Sequence, residues 1–245
     1  MDMDPVDQAR RLADGLFPDA LAVILAGSTA AGRATSSSDL DIAVLVADGG
    51  ETYRETIRFE GRLVELFVHT RAGRDELFAA DVASRRGVLQ SMYAAGRVLV
   101  DVDGEAGRAR ELAEASLREG PPALDPRTVE TKRYGLTDAL DDLADAGDRV
   151  ERLAVASVVL GAAAELLLDH HRAWTGGGKW LPRRLRAADA GRGGALLEGH
   201  LHLCESGDPA PMLAAAGEIL DLVGGPLREG YRRTWHTPAT PPQHA

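Results

Sequence analysis

Residues 26–44 contain two aspartates that are separated by a single residue inside an apolar run. This pattern constrains the fold more than any other feature of the sequence. Side chains alternate faces along a strand, so Asp39 and Asp41 project from the same side, about 7 Å apart along the chain. Leu40 and Ile42 point the other way, towards a core. Two neighbouring carboxylates repel each other, and a divalent cation removes the repulsion. Ligands that are all oxygen, with room for phosphates, predict Mg²⁺.

A Gly-Ser pair precedes the aspartates and predicts the second half of a site. Residues 21–26 (LAVILA) are typical of a buried strand, and Gly27 and Ser28 follow at once. Ser28 or Thr29 is expected to cap a short helical turn. Glycine allows a ligand to approach the backbone, and free N–H groups at a helix start attract phosphate oxygens. With Ser38 as a further donor, the pattern predicts a nucleoside triphosphate site. It is not the Walker loop, because no Gly-Lys-Ser/Thr follows the glycine.

Gly27-Ser28, its spacing to Ser38-Asp39-Leu40-Asp41 and the apolar residues around both resemble the signature of the DNA polymerase β-like nucleotidyltransferase superfamily. The resemblance implies an α/β (α+β) domain with a mixed sheet. It also implies a nucleoside triphosphate as co-substrate and a third carboxylate on a later strand. We expect two Mg²⁺ ions, one bridged by Asp39 and Asp41 and a second that would lower the pKa of the attacking hydroxyl. The alternative is the edge of a β-hairpin with two solvated aspartates.

Glu65 is the candidate for the third carboxylate. Residues 62–69 (RLVELFVH) are rich in β-branched and aromatic residues, as strands are. Glu65 lies on the strand face opposite Val64 and Leu66, and is expected to act as a metal ligand or as the proton acceptor. A solvated strand glutamate is the alternative. Glu60, just before a turn at Gly61, is a second candidate.

The chain is expected to divide at residue 104, where the strand patterns stop. Residues 1–104 are predicted to form the nucleotidyltransferase domain, residues 105–236 a helical bundle, and residues 237–245 a flexible tail. Helices are expected over residues 7–16, 75–95, 105–119, 127–146, 148–174, 185–206 and 211–231, and a last strand over residues 97–101. In the helix over residues 75–95, the side chains expected to face inward are Leu77, Phe78, Val82, Val88, Leu89 and Met92.

The helical half resembles the helical domain of the kanamycin (aminoglycoside 4′-) nucleotidyltransferases. The similarity lies in residues 168–172 (LDHHR), residues 201–208 (LHLCESGD) and a helix that ends at Tyr231 and Arg232. In those enzymes the catalytic base is a glutamate on the first long helix of this domain. The resemblance puts Asp138 at the base position and Asp142 where the family has a phosphate-binding lysine. This departure makes Asp142 a rival base. The resemblance also implies a homodimer.

A basic segment offers a replacement for that lysine. Between residues 171 and 192, five cations are opposed by one carboxylate. Lys179 follows three glycines and lies between Trp174 and Trp180, so the loop is expected to fold over a β- or γ-phosphate. Arg172 is a second candidate. The alternative for both, and the expectation for the arginines at 183, 184 and 186, is a solvated helix face that pairs with the acidic first helix.

Charge and cysteine content limit the class of protein. A net charge of −10 argues against a nucleic-acid binder, which needs a broad basic face, and favours approach of a cationic acceptor. The single cysteine, Cys204, excludes an internal disulfide and fits a cytoplasmic protein. No secretory signal is visible. The apolar run over residues 153–168 contains Glu165 and is expected to be too short for a bilayer, which predicts no membrane partner.

These patterns and resemblances together predict an enzyme. It would be a Mg²⁺-dependent nucleotidyltransferase that moves a nucleoside monophosphate from ATP or another nucleoside triphosphate to a hydroxyl of a small molecule. Asp138, Glu65 or Asp142 would take the hydroxyl proton. An aminoglycoside-like acceptor, and with it a role in antibiotic resistance, is compatible with this prediction. The alternatives are a protein-modifying or antitoxin-type nucleotidyltransferase and a non-catalytic nucleotide-binding protein.

Overall fold

The computed structural model describes residues 4–33, residue 35 and residues 38–234. The chain divides into two compact units, with the division after Pro122. Hydrophobic residues fill a core in each unit. The predicted tail, residues 237–245, lies outside the described residues.

The first unit is built on a mixed sheet, as predicted, and the sheet has five strands. Its elements are α1 (Pro5–Leu16), β1 (Ala22–Ala26), α2 (Gly27–Ala30), β2 (Leu40–Leu45), β3 (Tyr53–Phe59), β4 (Arg62–His69), α3 (Arg71–Ala83), α4 (Val88–Ala95), β5 (Arg97–Asp101) and α5 (Glu105–Glu119). The strand order is β3-β4-β2-β1-β5. Strands β2 and β4 pair in parallel, and the other neighbours pair antiparallel.

Strands β1, β2 and β4 have apolar residues at successive positions. Because successive residues of a strand point in opposite directions, apolar side chains lie on both faces of the sheet. On one face, Leu12 of α1 belongs to the same core cluster as Leu40, Ile42 and Val64. On the other face, residues of α3, α4 and α5 pack with residues such as Tyr93. Asp41 lies between Leu40 and Ile42, and Glu65 follows Val64. Both carboxylates therefore project from the second face.

Strand β3 is missing from the predicted elements. It is an edge strand with five of its seven residues exposed, so only Ile57 and Phe59 are partly buried. The turn that joins it to β4 consists of Glu60 and Gly61, with φ of 46° and 85°. Two left-handed residues in a two-residue loop favour the right-handed twist of a hairpin.

The helix predicted over residues 75–95 is two helices, α3 and α4. The helical run ends at Ser84, and the chain turns through Arg85 and Gly87, both with φ of 59°. Of the side chains expected to face inward, Phe78, Leu89 and Met92 are buried, Val82 is half-buried, and Leu77 and Val88 are exposed.

The predicted division at residue 104 lies inside the first unit, between β5 and α5. Ala106, Ala109 and Ala113 of α5 are fully buried in the core of the second sheet face. Helix α5 has the predicted bounds of residues 105–119.

The second unit is helical, as predicted. Its helices are α6 (Pro126–Asp145), α7 (Arg149–His170), α8 (Trp180–Ala188), α9 (Ala190–Ser206) and α10 (Ala210–Asp221). The helix predicted over residues 185–206 is two helices, since Asp189 ends α8 and caps α9 by accepting a hydrogen bond from the Arg192 N–H at 2.9 Å. Helix α10 ends at Asp221 instead of Tyr231, and the chain then passes through left-handed Gly224 and Gly225.

Helix α7 is the one described helix that is long and apolar enough to cross a membrane by length and composition, with 22 residues and a mean hydropathy of 1.6. The apolar run over residues 153–168 is therefore part of a longer helix, and its length alone does not decide against a bilayer. Of the apolar stretch, 44% is buried inside the structure. Val159, Ala163 and Leu167 belong to the core cluster of the bundle together with Leu143 and Leu196. This packing is that of a core helix.

Candidate functional site

Three carboxylates come together at one end of the central strands. Asp41 of β2 and Glu65 of β4 are direct partners in the parallel register, and Asp39 immediately precedes β2. One carboxylate oxygen from each of Asp39, Asp41 and Glu65 lies within 4.8 Å of the others. All three residues are half-buried, so a small ligand can reach them while the surrounding protein partly excludes water. The structure therefore brings together the three residues that the sequence singles out as metal ligands.

Gly27 lies against this cluster and admits no side chain. Ala26, the last residue of β1, is the register partner of Asp41, which puts the next residue beside that carboxylate. Gly27 has φ of 66°, and a Cβ atom there would lie 1.8 Å from Oδ2 of Asp41. Real atoms do not approach so closely. Gly27 is thus required both by the backbone conformation and by the position of the Asp41 carboxylate.

Hydrogen bonds hold Thr35, Ser38 and Asp39, the described residues just before β2. Oγ of Ser38 accepts a bond from the Thr35 N–H at 2.9 Å, and the Ser38 carbonyl accepts one from Arg62 at 3.0 Å. The Thr29 hydroxyl donates to the Asp39 carbonyl at 3.5 Å. These bonds fix the backbone at the start of β2 and so fix where Asp39 projects.

The prediction that Ser28 or Thr29 caps the helical turn after β1 is wrong. Helix α2 already includes both residues, and its N-cap is Ala26, which has no side-chain cap bond. The reason is that the left-handed conformation of Gly27 lets the chain turn directly after the strand. Ser28 is half-buried.

Arg54 is a site residue that the sequence reasoning missed. Its guanidinium donates to Oε2 of Glu65 at 2.7 Å and lies 4.9 Å from the centre of the Phe67 ring. Thr56 of β3 is the register partner of Glu65, and Arg54 is two residues further on the same strand face. The sequence does carry a signal for this hairpin: alternating side chains over residues 53–59, followed by the turn at Glu60 and Gly61. Arg54 puts a positive charge beside an otherwise acidic cluster.

Glu60, the second candidate for the third carboxylate, belongs to another contact. Its carboxylate bonds to Arg11 of α1 at 2.7 Å, and this hydrogen bond lowers the pKa of Glu60. It is not one of the three clustered carboxylates. Glu60 therefore joins the hairpin turn to α1.

A buried polar pair lies beyond Glu65 on the same strand. His69, the last residue of β4, has Nε2 2.5 Å from the Tyr93 hydroxyl, and both residues are fully buried. Burial, and the positive charge of Arg74, lower the pKa of His69 to about 4. Burial raises the pKa of Tyr93. Both side chains are thus neutral near pH 7.

The other predicted site residues lie in the second unit. Asp138 and Asp142 are exposed on α6, one helical turn apart, whereas their neighbour Asp141 forms an ion pair with Arg228. Arg172 is exposed at the end of α7 with φ of 50°, and Lys179 is exposed at the start of α8. Their roles in a site stay predictions.

Residues 7–72 match the model of the nucleotidyltransferase domain family. This span contains the whole carboxylate cluster and Gly27. None of the curated proteins matches the chain. Among solved structures, the chain is similar to a nucleotidyltransferase-like protein from Exiguobacterium sibiricum 255-15, at 11% identity and a TM-score of 0.46, over 88% of this chain and 74% of that chain. The family match supports a nucleotidyltransferase domain in the first unit, while the likeness to kanamycin nucleotidyltransferases stays a prediction.

Proposed function

We propose that this protein is a Mg²⁺-dependent nucleotidyltransferase that transfers a nucleoside monophosphate from a nucleoside triphosphate, such as ATP, to a hydroxyl group of a small molecule. The observation that carries the proposal is the cluster of Asp39, Asp41 and Glu65 beside Gly27. It lies within a segment that matches the nucleotidyltransferase domain family.

The cluster fits a divalent cation. Three carboxylates with oxygens within 4.8 Å repel one another unless a positive charge lies among them. The Arg54 guanidinium supplies one positive charge, at the outer side of Glu65. Oxygen donors without nitrogen or sulfur favour Mg²⁺. When bound, Mg²⁺ would neutralise phosphate charge and lower the pKa of an attacking hydroxyl.

The residues of the first unit have distinct roles in this scheme. Asp39, Asp41 and Glu65 hold the cation. Gly27 and Ser28 supply backbone N–H groups for the outer phosphates, and Ser38 supplies a further donor. Glycine at position 27 lets a phosphate approach the backbone, since no side chain intervenes.

The transfer itself is an in-line displacement. The acceptor oxygen forms a bond to the α-phosphorus, the bond from the α-phosphorus to the bridging oxygen breaks, and pyrophosphate leaves. The hydroxyl proton passes to a carboxylate. Because Glu65 belongs to the carboxylate cluster, we assign this role to Asp138, with Asp142 as the rival. Lys179 and Arg172 are proposed to contact the phosphates.

The acceptor is proposed to be a small cationic alcohol, with an aminoglycoside-like molecule as the main candidate. A protein with a net charge of −10 attracts a cationic molecule and repels a nucleic acid. The predicted resemblance of residues 168–172 and 201–208 to kanamycin nucleotidyltransferases is the basis for this acceptor, for a homodimer and for a role in antibiotic resistance in the cytoplasm.

Mass spectrometry tests the proposal. The protein is incubated with Mg²⁺, each of the four ribonucleoside triphosphates and a panel of aminoglycosides and lincosamides, and a product heavier by one nucleoside monophosphate is expected. The variant with Asp39→Asn and Asp41→Asn should form none. The control, Asp7→Asn with Asp14→Asn on α1, makes the same charge change at exposed positions and should be fully active.

The melting temperature gives a second test, which does not require the true acceptor to be in the panel. Mg²⁺ with a nucleoside triphosphate should raise the melting temperature of the parent and of the control, but not that of the Asp39/Asp41 variant. A stabilised parent that never transfers would favour the non-catalytic alternative. Transfer by the Asp39/Asp41 variant at the parent rate would refute the site.

A further inference from the structure

Four cations are concentrated around the first two turns of α8. Lys179, Arg183 and Arg186 are exposed, and their spacing of four and three residues puts them on one side of the helix. Arg184, between them, is half-buried. We call Lys179, Arg183, Arg184 and Arg186 the α8 basic surface. Like charges at these spacings repel one another.

No carboxylate of the described residues forms an ion pair with this surface. Other arginines of the second unit do find one: Arg192 pairs with Asp189 at 3.2 Å, and Arg228 pairs with Asp141. The expectation that the arginines at 183, 184 and 186 pair with an acidic helix is therefore not met within residues 4–33, 35 and 38–234. In a protein with a net charge of −10, four neighbouring cations therefore form no ion pair with any carboxylate that the structure describes.

Trp180 holds two of these cations in place. The guanidinium carbons of Arg183 and Arg184 lie 5.1 Å and 5.7 Å from the centre of its ring, within the range of cation–π attraction. Nε of Arg184 is buried and has no hydrogen-bond partner among the described residues. Burial lowers the pKa of Arg184. The described residues thus bury Nε of Arg184 next to an aromatic ring without supplying an acceptor for that atom, although buried polar groups are usually paired.

We propose that the α8 basic surface binds a short chain of phosphates, such as the triphosphate of a nucleotide or a free polyphosphate. Guanidinium groups bind phosphate oxygens through paired, charge-assisted hydrogen bonds, and a phosphate chain carries several negative charges in a small volume. A large acidic partner would extend beyond these cations and be repelled by the other negative charges of the protein. A small polyanion would contact the cations alone. The proposal extends the phosphate contact of Lys179 and rests on that part of the proposed function, but not on transfer.

Calorimetric titration with sodium tripolyphosphate tests this surface. The full chain carries Asp39→Asn and Asp41→Asn, and the buffer contains EDTA, so that the carboxylate cluster contributes no metal-dependent binding. The test variant adds R183Q and R186Q. The matched control adds R127Q and R149Q instead, which removes the same charge from exposed positions on α6 and α7 of the same unit.

The test variant should bind tripolyphosphate at least about tenfold more weakly than its parent, and the control within about twofold, because specific contacts outweigh net charge. ATP should bind at least about tenfold more tightly than AMP, since AMP has one phosphate. Since the side chains of residues 183 and 186 form no ion pair with a carboxylate in the described part of the chain, circular dichroism should show unchanged folding. If that double variant unfolds, Lys179→Gln replaces it with the same expectation.

Three results would overturn the proposal: no binding of tripolyphosphate by the parent, equal losses in test and control variants, or tighter binding of a single-stranded oligonucleotide than of tripolyphosphate. Each would leave the transfer reaction untouched, because that reaction is assayed separately with Mg²⁺ and intact aspartates. Loss of transfer with retained tripolyphosphate binding would conversely refute the proposed function alone.

Discussion

Replacing Gly27 by alanine tests the link between this glycine and the carboxylate cluster. Gly27 and Gly32 both have φ of 66°, so an alanine is strained equally at either position, by about 1–2 kcal/mol. Their surroundings differ. At Gly27 the new Cβ would lie 1.8 Å from Oδ2 and 2.9 Å from Cγ of Asp41, whereas at Gly32 nothing lies within 4 Å. Gly32→Ala is therefore a control that carries the same strain without the clash.

The size of the effect follows from these distances. Ordinary contact needs roughly 3.5 Å between heavy atoms, so the Asp41 carboxylate must move by about 1.7 Å to accept Gly27→Ala. A displacement of about 1 Å in a catalytic group costs about a hundredfold in rate. We expect Gly32→Ala to lose about 1–2 kcal/mol of unfolding free energy and to bind metal like the parent. Gly27→Ala should lose more stability and most of its metal affinity.

Two measurements separate these effects. Urea denaturation gives the unfolding free energy of both variants, and titration with Mn²⁺, followed by electron paramagnetic resonance, gives their metal affinity. The reasoning is refuted if Gly27→Ala binds Mn²⁺ and forms product as well as Gly32→Ala does. In that case the Asp41 carboxylate would not need its present position.

Three further predictions concern charge and packing. His69 has a pKa of about 4 because it is buried, whereas an unfolded histidine has a pKa of 6.5. The unfolded state therefore binds the additional proton between these values, and about 2 kcal/mol of unfolding free energy should be lost as the pH falls from about 7 to 5. Urea denaturation at both pH values measures this, and an equal pH dependence in His69→Gln would contradict it. Arg54→Gln should raise the Mn²⁺ affinity by about two- to tenfold, because the Arg54 cation competes for Glu65; a lower affinity would mean that Arg54 only orients that carboxylate. Gly199→Ala should cost about 1–3 kcal/mol, since its Cβ would lie 2.8 Å from the backbone of α10. Gly194→Ala on the same helix meets nothing within 4 Å and should not destabilise; equal Tm values for the two alanine variants would refute this packing argument.

The strands that carry the site could be predicted because their patterns are local. Alternation around Leu40 and Ile42 indicates which way Asp39 and Asp41 project, and the apolar run before Gly27 indicates a buried strand. The parallel pairing that sets Glu65 beside Asp41 is a long-range contact. It follows from the fold that the resemblance implies, not from the residues around either carboxylate.

The rest of the site could not be predicted because its signals are weak or non-local. Strand β3 is an exposed edge strand, so it lacks the apolar run that marks a central strand, and Arg54 was missed with it. The break between α8 and α9 depends on the Asp189 carboxylate capping a helix within a continuous helical pattern. The roles of Asp138 and Lys179 depend on how ligands bind to the folded protein.

Diffraction from crystals grown with Mn²⁺ and a non-hydrolysable nucleoside triphosphate analogue tests the central claim most directly. Mn²⁺ takes the oxygen ligands that suit Mg²⁺, and its anomalous signal locates it. We predict an anomalous peak coordinated by Asp39 and Asp41, with Glu65 as the third protein ligand, and phosphate oxygens of the analogue on the side of Gly27. A nucleotide bound elsewhere, or a cluster that holds no metal at saturating Mn²⁺, would contradict the account.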